Sequence, residues 1–462
     1  GSGILTKIVL ANTISPTDYG IITLVAISLP ALFQLISTFN FYQILSHAQD
    51  GKKYFGFCLV SSIIITIIIS IALFLFSSTF FSYLNLPDDR TGLFLAVIII
   101  SLFSISILGD IQGLLTGLKD YALPGILMAL PSIIRLLAVI ILFALNMLSF
   151  ELIIMVFALA NVVPLIMLAF FEPCKHILAP LKPLSIPDKK MFSFGTAVFI
   201  ITSFSSFGQY LMRIVISHNL GILWQGYFDV SLTLVSVLLF SLGTMSLISI
   251  PEATDKNANT LHEYGGLGDV TRVLFAFMVI LLIVIIFYAE FITTVLFSKD
   301  FIEASRYVYI LAIGYVFLFI QNFVANLNIS SAKSQKDFLI PSCFALGSLP
   351  FFFFLTDYLI IAFQQWGFGN GFCGAYVAYL IIIVVITAGT IIFSTDHSPI
   401  RILMNKIERL VGSCLVTIII LFIFNPSPIL GIPTLIIIFC SLIFMSGYLN
   451  KKIILDIFRS RG

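Results

Sequence analysis

Lys7, Asp110, Arg135, Arg213 and Asp229 are ionisable residues set in stretches otherwise apolar enough to lie within a lipid bilayer. On insertion scales each costs about 2.5–3.5 kcal/mol there, so such groups face water or pair with one another. Arg213 and Asp229 flank the tight turn at Leu220 and Gly221, each roughly 12 Å from it on antiparallel helices at 1.5 Å per residue. They can form a salt bridge, which leaves Arg213 two roles, structural partner or substrate anchor. Asp110 and Arg135 flank the turn near Tyr121 in the same manner, about 17 and 21 Å away, and read as a second structural pair. Arg135 is the deepest cation, and its guanidinium fork suits diphosphate oxygens. Lys7 has no evident acidic neighbour on the adjacent helix, so its charge asks for water or an anion, and hence for a hydrated cavity. Snorkelling to the interface is the alternative.

Polar residues at cavity-facing spacing extend this set: Gln34, Asn40, Tyr42 and Gln43, then Gln209 and Tyr210, then Gln321, Asn322 and Asn326. Singly, each is more often a hydrogen-bonding link between membrane helices than a ligand contact. The six cysteines form no CxxC pair and no metal-ligand spacing occurs, so neither a metal centre nor a disulfide framework is expected. HExxH, Walker, GxSxG and dinucleotide fingerprints are absent, and no enzyme chemistry or cofactor is expected. The connectors are too short for a soluble catalytic domain, which argues against a membrane glycosyltransferase or polymerase.

The elements that must position these residues are membrane helices. Of the 462 residues 60% are hydrophobic and 10% charged, mean hydropathy is +1.12, and the apolar runs are continuous where a barrel strand would alternate. About fourteen segments are expected. Six run Ile4 to Thr13, Gly20 to Leu45, Phe55 to Phe81, Leu93 to Leu118, Ala122 to Leu145 and Phe150 to Phe171. Six more run Met191 to His218, Ile222 to Ile250, Val270 to Phe297, Ala304 to Ser330, Phe338 to Phe363 and Gly371 to Phe393. A last pair runs Leu410 to Phe424 and Ile429 to Leu449. The first stretch covers about 20 Å of a roughly 30 Å core, so it reads as a helix lacking its start. With the N-terminus in the cytoplasm, nearly all Lys and Arg fall in cytoplasmic connectors and tail, leaving Arg90, Lys299 and Arg306 opposite. That places both termini in the cytoplasm of an inner or plasma membrane protein, and it accounts for the formal net charge of +2 without nucleic acid as a partner.

The chain also repeats. Leu5-Thr6-Lys7-Ile8-Val9-Leu10 resembles Leu211-Met212-Arg213-Ile214-Val215-Ile216, and the same shift of 206 pairs Gly20 with Gly226. The expected organisation is an N-lobe at 1–185, a C-lobe at 186–395, and a helix pair with tail at 396–462.

Several motifs in order carry a family resemblance over nearly the whole chain. They are Ser15-Pro16-Thr17-Asp18-Tyr19-Gly20, Gly117-Leu118-Lys119, Arg213 to Gly221, Gly226-Tyr227, Pro251, Leu296 to Ala304, and Gly374 to Ala378. The chain resembles polysaccharide flippases of the multidrug/oligosaccharidyl-lipid/polysaccharide exporter superfamily. It departs from many members at Asn12, where they carry Arg, and at Met212, where they carry Asp. The resemblance implies two pseudo-symmetric six-helix lobes in a V around a central cavity. It also implies translocation of a prenyl-diphosphate-linked oligosaccharide for surface polysaccharide assembly. Lys7, Arg135, Arg213, Asn12, Gln209, Gln34 and Asn322 are the substrate-site candidates, with Asp110 and Asp229 as structural counter-ions. Expected partners are the lipid-linked oligosaccharide, membrane lipids and other polysaccharide-assembly membrane proteins, with an H⁺ or Na⁺ gradient as the driving force. The alternative is a cation-coupled drug or metabolite antiporter of the same fold, for which an unpaired buried carboxylate would be needed.

Overall fold

The computed structural model describes residues 2–37, 51–117, 122–170, 207–239, 265–331, 336–367, 371–393, 404, 406–424 and 426–449. Most of these residues are helical, and among them there is no strand. Helix α1 is Ser2–Ala11. Pro16–Ile22 (α2) continues through a π-helical stretch, Thr23–Ser28, into Leu29–Ser37 (α3). Four long helices follow: Gly51–Tyr83 (α4), Thr91–Gly117 (α5), Ala122–Ala144 (α6) and Phe150–Phe170 (α7). After residues 207–220 (α8) come Ile222–Ser236 (α9), Gly265–Leu296 (α10), Val308–Ser331 (α11), Lys336–Gln365 (α12) and Phe372–Ile392 (α13). The last two are Ile407–Phe424 (α14) and Pro428–Met445 (α15). Every expected segment thus holds helix. Among the described residues ten helices are long and apolar enough to cross a membrane, eleven if Lys299–Ser305 and Val308–Val324, bent by 55°, form one span. The expected count of fourteen spans is not reached within those residues, partly because α1 has only ten residues.

Local chemistry sets the helix ends. Ser15 caps α2 by accepting from the Asp18 amide at 3.1 Å while its hydroxyl donates to the Asp18 carboxylate at 2.8 Å, with Pro16 at the first helical position. This is a capping pair with proline where its missing N–H costs nothing. α4 stops at Asn85, whose φ of 55° is left-handed, and the Leu86 amide closes back on the Phe81 carbonyl. Asn146, at φ 53°, ends α6 in the same way, since Asn tolerates the conformation glycine usually supplies there.

Burial separates interior from lipid-facing helices. Within the span Pro16–Leu35 the most apolar 18-residue stretch, of mean hydropathy 1.5, is 67% buried, whereas the one within Tyr54–Tyr83, at 2.9, is 17% buried. The less apolar helix is the inner one, because helix contacts replace the lipid that the other must face. Outward side chains of α4 include Ile68, Phe74, Leu75 and Phe76.

By contact the chain divides into two compact units. One comprises Gly1–Val230, Leu296–Phe301 and Ala345–Ala375; the other comprises Ser231–Val295, Ile302–Phe344 and Tyr376–Gly462. In the first, α5 packs against α3, α4 and α7, and α1 packs against α6. In the second, Ser231 donates to the Ala304 carbonyl and accepts from the Tyr376 hydroxyl, Tyr379 lies against Gly314, and α14 packs on α15. The lobe boundaries expected at 185/186 and 395/396 fall outside the described residues.

Candidate functional site

The intramembrane charges do not distribute as their spacing suggests. Arg213 Nη2 lies 2.7 Å from Asp229 Oδ1, as the shared turn allows. Lys7 Nζ, expected to have no acidic neighbour, lies 2.7 Å from the other oxygen of the same carboxylate. The Tyr19 hydroxyl also donates to that oxygen at 3.0 Å. The Lys7 expectation fails because it looked only along the sequence: α1 meets α9, more than two hundred residues away. Among the described residues one carboxylate therefore faces two basic side chains, a formal surplus of one positive charge. Asp229 is buried, while the Lys7 side chain keeps 18% exposure. Arg213 also stands 5.4 Å from the Tyr210 ring centroid, and its Nε has no hydrogen-bond partner.

The cluster sits beside a crossing of α2 and α9 made possible by two glycines. A Cβ on Gly20 would lie 2.3 Å from the Ile222 carbonyl oxygen, and one on Gly226 would lie 2.4 Å from that of Pro16. The shift of 206 that relates Lys7 to Arg213 also relates Pro16 to Ile222 and Gly20 to Gly226, so the two backbones meet through equivalent atoms, as across a two-fold axis. The flanking contacts follow the same rule. Tyr19 reaches Asp229, and Gln225, its equivalent, donates to Thr23, the equivalent of Asp229, at 3.3 Å. The interior π turn begins at Thr23; the Ser28 hydroxyl bonds the Thr23 carbonyl at 2.8 Å, and such turns recur at functional sites.

A second exchange closes the turn end of this region. At the end of α1, Asn12 donates to the Leu296 carbonyl at 2.6 Å, and Ser298 donates to that of Ala11 at 3.4 Å. At the end of α8, Nδ1 of His218 lies 2.9 Å from the Tyr83 carbonyl oxygen, and Asn85 donates to the carbonyls of Ser217 and His218 at 2.7 and 2.9 Å. Asn85 and Ser298 both have positive φ. Each repeat's first helix is thus fastened by the loop after the other repeat's third helix. The rings of Tyr83 and His218 stack on this latch, with centroids 3.9 Å apart.

Asp110 and Arg135 do not pair. Arg135 Nη2 donates to Asn161 Oδ1 on α7 at 2.6 Å, and its guanidinium lies 5.2 Å from the Phe157 ring centroid. Asp110 is fully buried on α5, with neither oxygen hydrogen-bonded. Equal depth does not bring two side chains together when their helices turn them toward different neighbours. The remaining candidates are scattered. Asn12 belongs to the latch, Gln34 donates to the Ile105 carbonyl of α5 at 3.3 Å, and Asn322 donates to Leu318 of its own helix at 3.0 Å. Gln209 lies one turn before Arg213 on α8. Asn40, Tyr42 and Gln43 lie outside the described residues, as does the side chain of Asn326. Tyr19 and the latch residues Asn85, His218 and Ser298 were not among the candidates. The repeat register, applied to Asn12, would have pointed to His218.

Fold and site define a multi-pass helical membrane protein, and the fold is one that solved lipid and multidrug transporters share. The lipid II flippase MurJ, solved in an inward closed conformation, superposes with a TM-score of 0.66 at 12% identity, covering 96% of this chain and 95% of that one. A multidrug resistance MATE family transporter in an inward-facing conformation superposes with a TM-score of 0.63 at 12% identity, covering 85% and 94%. An outward-facing MATE transporter gives 0.55 at 14%, covering 85% and 90%. No curated relative matches in sequence. The chain belongs to the polysaccharide biosynthesis protein family, whose model matches residues 1–251.

Proposed function

We propose that this protein is a flippase that moves a prenyl-diphosphate-linked oligosaccharide across the cytoplasmic membrane by alternating access, for surface polysaccharide assembly. The observation that carries this reading is the Lys7–Asp229–Arg213 cluster: two cations on one carboxylate within a membrane-spanning region, with Lys7 partly exposed. A diphosphate is the kind of anion that this surplus of positive charge can hold. In this reading Asp229 keeps both cations in place while the site is empty, and the head group takes over part of their coordination. Arg135, and Gln209 on the Arg213 face of α8, serve the same ligand, while the prenyl chain stays in lipid. The lobes at 1–185 and 186–395 rock about the Gly20–Gly226 crossing, and the latch between α1, α8 and the two loops opens on one side of the cycle. Both termini lie in the cytoplasm, as the Lys and Arg asymmetry suggests.

The test is translocation of a fluorescent prenyl-diphosphate sugar in proteoliposomes. Lys7→Ala and Arg213→Ala are each expected to lower the rate by about tenfold or more, the equivalent of one charge-assisted hydrogen bond. Full rates in both variants with normal folding would remove the cluster from the mechanism. The second reading, a cation-coupled antiporter, draws support from Asp110, a buried carboxyl with no cation paired to it among the described residues.

A further inference from the structure

Asp110 of α5 has no exposed surface and neither of its oxygens has a hydrogen-bond partner. From α4 come the buried Ser62, a hydroxyl and not a cation, and Cys58, one turn earlier. Cys58 belongs to an apolar cluster with Tyr54, Phe55, Leu108, Ile111 and Leu127. From α3, Gln34 gives its amide to the Ile105 carbonyl. From α6 and α7, Arg135 and Asn161 are bonded to each other. No described cation lies within ion-pair distance of Asp110. A carboxylate ion placed there would have no described counter-charge, whereas a neutral carboxylic acid needs none and costs far less to bury.

We infer that Asp110 is a proton-binding site, occupied in this conformation and emptied when a movement of α4 against α5 wets the carboxyl, so that H⁺ is coupled to translocation. In the release step the O–H bond of the acid breaks, its electron pair stays on the carboxylate, and the proton passes to water as hydronium. Reprotonation takes a proton from water on the other side of the membrane. The ionised form no longer fits the dry packing, and Arg135, whose buried Nε has no partner, is the charge that a shift of α6 can bring toward it. The coupling rests on the transport reading; the bound proton does not.

Two measurements on the full chain in proteoliposomes, without any lipid-linked sugar, test the inference. Infrared difference spectra at neutral pH are expected to show a protonated-carboxyl stretch in the wild type that is lost in Asp110→Asn and displaced in Asp110→Glu. Identical spectra for wild type and Asp110→Asn would overturn the bound proton. Hydrogen exchange is then followed in the latch segments 11–14 and 83–87, at a pH where the infrared band has disappeared. It is expected to be about tenfold faster in the wild type than in Asp110→Asn, a latch opened by ionisation. Equal exchange would overturn the coupling. Because no substrate enters either measurement, failure of the flippase reading leaves both results standing.

Discussion

The cluster around Asp229 and the surroundings of Asp110 present the same problem with opposite solutions. Both carboxyls are buried on helices of the same compact unit. Asp229 collects two cations and a tyrosine hydroxyl, while Asp110 has neither a cation nor a hydrogen bond among the described residues. The difference teaches that depth in the membrane does not dictate pairing. Pairing needs helices that cross closely enough to aim side chains at one point, and the glycine-lined contact of α2 with α9 provides that for Asp229.

The sharpest break of this contrast is Asp229→Asn. It strands Lys7 and Arg213 together, and its expected cost is about 3–5 kcal/mol, read as a lowered melting midpoint of the purified protein. Asp110→Asn exchanges one neutral polar group for another of similar shape and is expected to change stability by about 1 kcal/mol or less. If the two variants melt alike, the contrast is wrong. Next in size are Gly20→Ala and Gly226→Ala. Each added Cβ meets a backbone carbonyl that has no rotamer with which to retreat, and about 1–3 kcal/mol is expected for either. The register shift predicts similar losses, so a harmless change at one glycine would dispose of the two-fold contact. Smallest are Asn85→Ala and Asn12→Ala, which remove latch hydrogen bonds worth about 0.5–1.5 kcal/mol each. Asn85→Ala is expected to cost more, since it also loses a residue suited to positive φ. Faster exchange of the amides at 11–14 and 83–87, with the rest of the chain unchanged, is the confirming signature.

Much of the helix arrangement was legible because apolar runs and their breaks are one-dimensional signals: α6 at Ala122–Ala144 and α7 at Phe150–Phe170 lie within a residue of the segments expected. The Arg213–Asp229 pair was legible for a related reason, since a single short turn fixes which residues face each other. The pairing of Asp110 with Arg135 rested on the same argument and failed, because rotation about the helix axes, which spacing from a turn leaves open, sends Arg135 to Asn161.

Sequence by itself determined that this is a helical membrane protein with a repeated first helix, cations placed where lipid would exclude them, and Gly20 in register with Gly226. Only the tertiary structure decided which cation meets which carboxylate, that Asn12 fastens a loop, and that no described cation meets Asp110. Hydrophobicity and turn chemistry act along the chain and are written in it, whereas an ion pair within about 3 Å depends on helix crossing and rotation, set by packing among segments hundreds of residues apart.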